Sequence, residues 1–420
     1  MKILHIISQS PDFTGSGKFI QEIIRQSAIN GHDNFLVAGV QADFKMPGAL
    51  IDKDHCIFVR FDGKDIDAPI PGMSDVMPYQ SRIFSKLCET EMIAYQRAFE
   101  KKIKQAVDTF QPDILHTHHL WVVSALARKI APQIPMVTTC HGTCLRQHYL
   151  CPNVGRQITK DLQKIDQIIA LSCDQKQNIV NTIHADPLTI NVISGGYNKD
   201  FFFYEPKTFH GVVELVYAGK LSSAKGVPWL LKSLERIKDL PFRLHMAGTS
   251  SGSQKEMCLA LAGALGSKVV YHGPLSHEKL GELMRRSHIF VLPSFYEGLP
   301  LVLMEALACG CRIITTALPG VKEIFGSDHG FMVRMIELPK LETIDTPYEK
   351  DKNDLENRLS GILKQGIKEV IHTVAPDMEY VRSATFQFAW KKIFSRIETV
   401  YDKVFSEHAN HIRKNDYKTL

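Results

Sequence analysis

Pro293-Ser-Phe-Tyr-Glu-Gly-Leu-Pro-Leu-Val-Leu-Met-Glu-Ala-Leu-Ala-Cys-Gly310 stands between two short apolar runs, Ile289-Phe-Val-Leu292 and Arg312-Ile-Ile-Thr-Thr316. Runs of that length between turn residues read as buried strands of a parallel sheet. The connection between them then has to be a helix. Pro300 suits its first position, where a missing N–H costs nothing, and Gly310 suits the position just past its end. The stretch therefore predicts a strand, a loop holding Glu297, and a short helix whose first turn holds Glu305. Such a helix start gathers unpaired N–H groups at the carboxyl end of a strand, where open parallel sheets bind ligands. An anion belongs there, flanked by two acids that can accept hydrogen bonds from hydroxyl groups.

Outward from this stretch the same alternation repeats twice over. A chain of 420 residues exceeds what one core usually supports, so two domains of roughly 150–200 residues are expected. The first strand is residues 2–7, and Thr14-Gly-Ser-Gly17 leads into an amphipathic helix from Phe19 to Ala28. Gly15 and Gly17 would let backbone approach a phosphate or sugar closely, although a plain tight turn explains them equally well. Asn34-Phe-Leu-Val-Ala-Gly39 closes a βαβ unit, hence a parallel sheet. From Gln41 to about Ile93 the periodicity fades in a region rich in Pro, Gly and Asp, and a helix from about Phe84 to Val107 follows. Asp113-Ile-Leu-His-Thr-His-His-Leu120 is a strand that brings His118 and His119 to its end. Met136-Val-Thr-Thr-Cys140 delivers His141-Gly142-Thr143 to the same edge, with the cation Arg146 close behind. Ser194-Gly195-Gly196-Tyr197 then separates a completed α/β set from a new one that begins at Leu215-Val-Tyr-Ala-Gly-Lys220. Lys220 and Lys225, around a glycine-containing loop, could bracket a diphosphate as two point charges, or could simply be solvated.

The domain reading is thus 1–195 and 196–385, followed by a closing helix over 386–406 that packs back across both domains and a tail over 407–420. Hydrophobic content of 44% and charged content of 23% suit a soluble globular protein. A dispersed net charge of +5 is no nucleic-acid footprint, yet it is compatible with peripheral association at the inner membrane surface. Without a signal peptide or a spanning segment, a cytoplasmic location is expected. Nine scattered cysteines fit reduced thiols there. Cys140, Cys144 and Cys151 lack the paired spacing of a zinc site, His116 and His118 have no carboxylate near them in sequence, and Asp65-Ile66-Asp67 follows no clear strand. No metal site is therefore expected.

The order of these signals resembles that of the family-4 retaining glycosyltransferases of the GT-B fold, two Rossmann-like doubly wound domains facing each other across a cleft. Glu297-Gly-Leu-Pro-Leu-Val-Leu-Met-Glu305 matches the E-x7-E motif of that family, and Gly219-Lys-Leu with Lys225-Gly226 matches its phosphate loop. Val192-Ile-Ser-Gly-Gly-Tyr-Asn198 resembles the hinge, and Thr138-Thr-Cys-His141 resembles the strand that ends in the active-site histidine. The resemblance covers nearly the whole chain and is densest from Val216 to Ile324.

What the resemblance implies is a retaining transfer of a sugar from a nucleotide-diphosphate sugar to a glycan, lipid-carrier or small-molecule hydroxyl, without cofactor or metal. Glu305 would hold the ribose and Glu297 the hydroxyls of the donor sugar. Gly219, Lys220 and Lys225 would surround the diphosphate, with backbone N–H groups around Gly298, Leu299 and Leu301 facing sugar or phosphate. Gly15 and Gly17 would let the N-terminal domain close on the donor, and His141 would touch the sugar at the reaction centre. His118, His119 and Arg146 are acceptor-side candidates. Lys220 stands where the family commonly has Arg, which exchanges a bidentate fork for a point charge. A nucleotide-sugar epimerase of the same architecture, or a binding protein without activity, would fit the same residues.

Overall fold

The structure, a computed structural model, describes residues 1–12, 14–46, 50–75, 77–248, 252–297, 299–326, 332–373 and 375–416. The chain forms two compact units. One comprises Met1–Asp75, Gln80–Gly195 and Trp390–Leu420, and the other Val76–Tyr79 and Gly196–Ala389.

The first unit is built on β1 (Lys2–Ile7), β2 (Asp33–Val40), β3 (Cys56–Arg60), a small ribbon of β4 (Pro71–Gly72) and β5 (Arg82–Ile83), then β6 (Ile114–His118), β7 (Met136–Thr139), β8 (Gln167–Ala170) and β9 (Ile190–Val192). Its helices are α1 (Gly15–Ile29), α2 (Glu89–Phe110), α3 (Val122–Ile130), α4 (Thr143–Leu150), α5 (Pro152–Leu162) and α6 (Cys173–Ile183). The main sheet is parallel in the order β3-β2-β1-β6-β7-β8-β9, so the direction of winding reverses between β1 and β6. In an open α/β sheet that reversal opens a crevice at the carboxyl ends of the two strands.

The second unit repeats the plan with β10 (Val213–Ala218), β11 (Phe242–Ala247), β12 (Val269–Gly273), β13 (Ile289–Leu292), β14 (Arg312–Thr316) and β15 (Val333–Ile336). Helices α7 (Val227–Glu235), α8 (Gly252–Ala264), α9 (His277–Arg286), α10 (Leu301–Ala308), α11 (Pro319–Phe325), α12 (Lys352–His372) and α13 (Met378–Thr385) accompany them. The strand order is β12-β11-β10-β13-β14-β15, again parallel, and winding reverses between β10 and β13. The central strands β1 and β10 are buried along most of their length, as strands covered on both faces by helices are.

Several details differ from the sequence reading. The region 41–93 contributes β3, an edge strand whose residues are mostly half-buried, which blunts the hydrophobic signal. The helix expected from Phe84 starts at Glu89, after a single 3₁₀ turn at Phe84–Lys86. The closing helix, α14 (Trp390–Asp416), begins and ends later than 386–406 and groups with the first unit. There it meets α1, and Glu398 accepts hydrogen bonds from Asn30 at 3.0 Å and pairs with His32 at 2.7 Å. No helix among the described residues is long and apolar enough to cross a membrane.

Candidate functional site

The loop after β10 and the loop after β13 meet at the carboxyl edge of the second sheet. Gly226, at the N-cap of α7, has φ +67°, and a Cβ there would stand 2.0 Å from the carbonyl oxygen of Pro293. Only glycine allows both that backbone conformation and that approach. Phe295 N–H also donates to the Ala224 carbonyl at 2.9 Å. Between these backbone contacts, Lys225 Nζ lies 2.6 Å from Glu297 Oε2, while Ser294 Oγ donates to Glu297 Oε1 at 2.7 Å. The sequence placed the lysine and the acid in separate motifs, and the structure makes them an ion pair.

Lys220 stands on the same edge. Its carbonyl accepts a 2.6 Å hydrogen bond from the hydroxyl of buried Tyr217. Burial, and then the nearby Glu297 carboxylate, push that phenol well above its usual range, so it serves as a donor. Gly219 is closed in from two sides. The Tyr217 hydroxyl lies beside it, and Gly248, at φ +120°, is packed so tightly that a Cβ there would stand 2.0 Å from the Gly219 carbonyl oxygen.

Helix α10 begins at Leu301 with Pro300 at the cap, so Glu305 lies in the second turn, not the first, and is 9% exposed. Leu299 is buried, and the N–H of Leu301 turns back to the Leu299 carbonyl at 3.0 Å. The N–H of Leu303 likewise bonds to Pro300. The expected role of Gly298 falls outside the described residues.

In the first unit, the carboxyl ends of β1, β6 and β7 carry a run of imidazoles. Parallel pairing sets His5 beside His116, and His116 stacks on His118 with centroids 4.4 Å apart. His118 Nδ1 shares a hydrogen bond with His141 Nε2 at 3.1 Å, and Phe19 packs edge-on against His141 at 5.0 Å. His116 is held by Tyr401 of α14 and by Thr139, at 2.5 and 2.8 Å. Burial holds His5 down at about 4 and pushes His116, His118 and His141 well below the usual histidine range. All four are therefore neutral near pH 7.

His118 and His119 are both buried within the first unit. His119, at φ +74°, uses Nε2 on Ser16 at 3.1 Å and Nδ1 on Thr143 at 3.3 Å. Arg146 donates to Asp75 at 2.8 Å, so a carboxylate of its own unit already faces it. The two glycines of α1 also differ. Gly15 has open space where a Cβ would go, whereas Gly17 is packed against Asp12 and gives its N–H to the Thr14 cap at 3.0 Å.

For a metal, the described residues near enough to share an ion are His5, His116 and His118, not the cysteines. The group contains no carboxylate, and both nitrogens of His116 are already engaged. All nine cysteines are free thiols; Cys140 and Cys144 have Sγ atoms 3.3 Å apart. The sequence signals pointed to Glu297, Glu305, Lys220 and Lys225 but not to Ser294 and Tyr217, which contact residues three positions on, nor to His5, whose partner Asn34 lies 29 positions away.

Residues 199–335 match the family described as glycosyl transferases group 1, and residues 55–201 match glycosyltransferase family 4. A glycogen synthase of Mycobacterium tuberculosis strain H37Rv is 28% identical over 228 residues, which are 51% of this chain and 54% of that one. The match therefore spans about half the length of that relative. Among solved structures, a sucrose-phosphate synthase from Thermosynechococcus elongatus aligns with a TM-score of 0.72 and 18% identity, over 97% of this chain and all of that one. Anabaena Alr3699/HepE in complex with UDP and glucose aligns with a TM-score of 0.68 and 18% identity, over 96% of this chain and 99% of that one. At such identities the structural likeness establishes the two-domain GT-B fold.

Proposed function

The chain belongs to the group 1, family-4 glycosyltransferases, and on that footing we propose that it moves a sugar from a nucleotide-diphosphate sugar to an acceptor hydroxyl, with retention and without a metal ion. One observation carries this reading. Where the winding of the second sheet reverses, Lys220 and Lys225 are brought to a single edge with Glu297, and α10 starts beside them with Glu305 in its second turn.

The chemistry follows from charge. As the bond from sugar to diphosphate breaks, negative charge grows on the departing phosphate, and two fixed ammonium groups stabilise it more than they stabilise the ground state. They supply what a divalent cation supplies in metal-dependent transferases. Lys225 has three N–H donors, one of which meets Glu297 in the free site, and all three can turn to phosphate oxygens when a donor binds. Glu297 takes the hydroxyls of the donor sugar and Glu305 those of the ribose. Gly219 permits close approach of the diphosphate. The acceptor attacks from the face that the phosphate leaves, and the phosphate takes its proton.

Polysaccharide or glycoconjugate synthesis is the setting that relatives such as glycogen synthase support. UDP and UDP-glucose, held by the Anabaena structures, are the first ligands to try. Thermal unfolding against a panel of UDP-, GDP- and ADP-sugars tests the reading. A ligand at a hundred times its Kd should add about 2.7 kcal/mol of stability. The anomer released by the stabilising donor should match the donor itself. A panel without any shift would sink the reading, and an inverted product would sink retention.

A further inference from the structure

We infer that Ser294 is a positioning residue for donor-sugar recognition, holding the Glu297 carboxylate in place while Lys225 is drawn to the diphosphate. The inference rests on the reading of the site given above.

Ser294 follows β13 and is completely buried. Two threonines of the neighbouring strand fix the chain here, one at Ser294 itself and one at Leu292. Thr316 Oγ1 donates to the Ser294 carbonyl at 2.6 Å, and Thr315 Oγ1 donates to the Leu292 carbonyl at 3.0 Å. The Thr316 hydroxyl thereby carries the β13–β14 pairing past Leu292↔Thr315, where the backbone ladder stops. From that anchored position the Ser294 hydroxyl donates to Glu297 Oε1, and Lys225 Nζ reaches Oε2.

The two contacts differ in what happens when a donor binds. Lys225 is a flexible cation that a diphosphate attracts, so its grip on Glu297 weakens at the moment when the carboxylate must meet sugar hydroxyls. Ser294 cannot follow, because Thr316 and the strand hold it. A carboxylate offers about four acceptor sites, and with one retained by Ser294 the rest keep a fixed direction toward the sugar. Glu305, which takes the ribose, lies eleven positions further on, in the second turn of α10. Loss of the Ser294 hydroxyl should therefore affect the sugar half of the donor and spare the nucleotide half.

The test uses the full chain with the best sugar donor from the panel and the corresponding nucleoside diphosphate. Ser294→Ala should raise the KM for the sugar donor about tenfold while leaving the Kd of the free nucleoside diphosphate unchanged. Ser294→Thr, which restores the hydroxyl, should recover most of the loss. A hydroxyl that merely closed the turn would weaken both ligands together, and that result would overturn the inference, as would an unchanged KM. Should Ser294→Ala fail to fold, the near-isosteric Thr316→Val carries the same split in weaker form, and equal loss of both ligands there overturns it. If the unaltered chain binds no nucleoside diphosphate, the reading of the site falls, and this inference falls with it.

Discussion

Replacing Lys225 by Ala removes the ammonium 2.6 Å from Glu297 Oε2, in a pair whose side chains are 25% and 14% exposed. At an effective dielectric of about 20, unit charges about 4 Å apart interact by about 4 kcal/mol. Water reaches part of the pair, and Lys220 remains to share the phosphate charge, so a third to two-thirds of that figure is a reasonable expectation for the transition state. About 1.4 to 2.7 kcal/mol corresponds to a ten- to hundredfold fall in turnover. A second effect has a sign that can be checked. Without Lys225, Glu297 faces the diphosphate as an uncompensated anion, so Lys225→Ala should weaken donor binding more in the parent than when Glu297→Gln is already present. Single-turnover rates and donor Kd values for both single variants and the double variant give this coupling directly. Folding stability should stay within about 1 kcal/mol of the parent, as for other partly exposed ion pairs. If Lys225→Ala left turnover and donor affinity intact in a folded protein, the phosphate assignment would be wrong.

Glu305→Gln should weaken binding of the free nucleoside diphosphate about tenfold by calorimetry, since it replaces a charged acceptor of ribose hydroxyls by a neutral one; an unchanged Kd would remove Glu305 from the site. Activity in excess EDTA should equal that of the untreated protein, and loss restored by a divalent ion would overturn the metal-free mechanism. Gly226→Ala should lower stability by about 1–3 kcal/mol or more in denaturant titration, because φ is +67° and the new methyl would meet the Pro293 carbonyl; an unchanged midpoint would contradict the tight approach. The buried imidazoles make stability fall with acid. His5 is held down from 6.5 to about 4, so the unfolded chain binds its proton first as pH drops. Stability is complete above about 6.5 and declines from there toward about 4, by up to about 1.4 kcal/mol per pH unit for each such histidine. Denaturant midpoints that stay flat from pH 7.5 to 5 would refute this.

Much of the architecture is legible because its signals are local. Ile289-Phe-Val-Leu292, Pro300 and Gly310 need no distant partner to specify a strand, a helix start and a helix stop, and β13, α10 and β14 follow within a residue or two. β3 escaped because an edge strand buries only part of its surface, so Cys56–Arg60 lacks the apolar continuity of the central strands. β15 escaped too, since Val333–Ile336 is interrupted by the half-buried Arg334. α14 was legible as a helix, but its length and its grouping with the first unit depend on contacts such as that between Glu398 and His32.

The amino-acid order alone determined the alternation of strands and helices, the duplicated Rossmann-like plan, and the residue types that suit a polyhydroxylated diphosphate. Those properties depend on periodicity, propensity and spacing within about twenty residues. Tertiary structure decided which groups meet. The order of strands in the second sheet sets β10 beside β13, and thereby turns a lysine and a glutamate 72 positions apart into a 2.6 Å ion pair. Parallel register in the first sheet sets His5 beside His116, and burial there makes a histidine row neutral. Strand order, register and burial are properties of the closed fold, and no local stretch of the chain contains them.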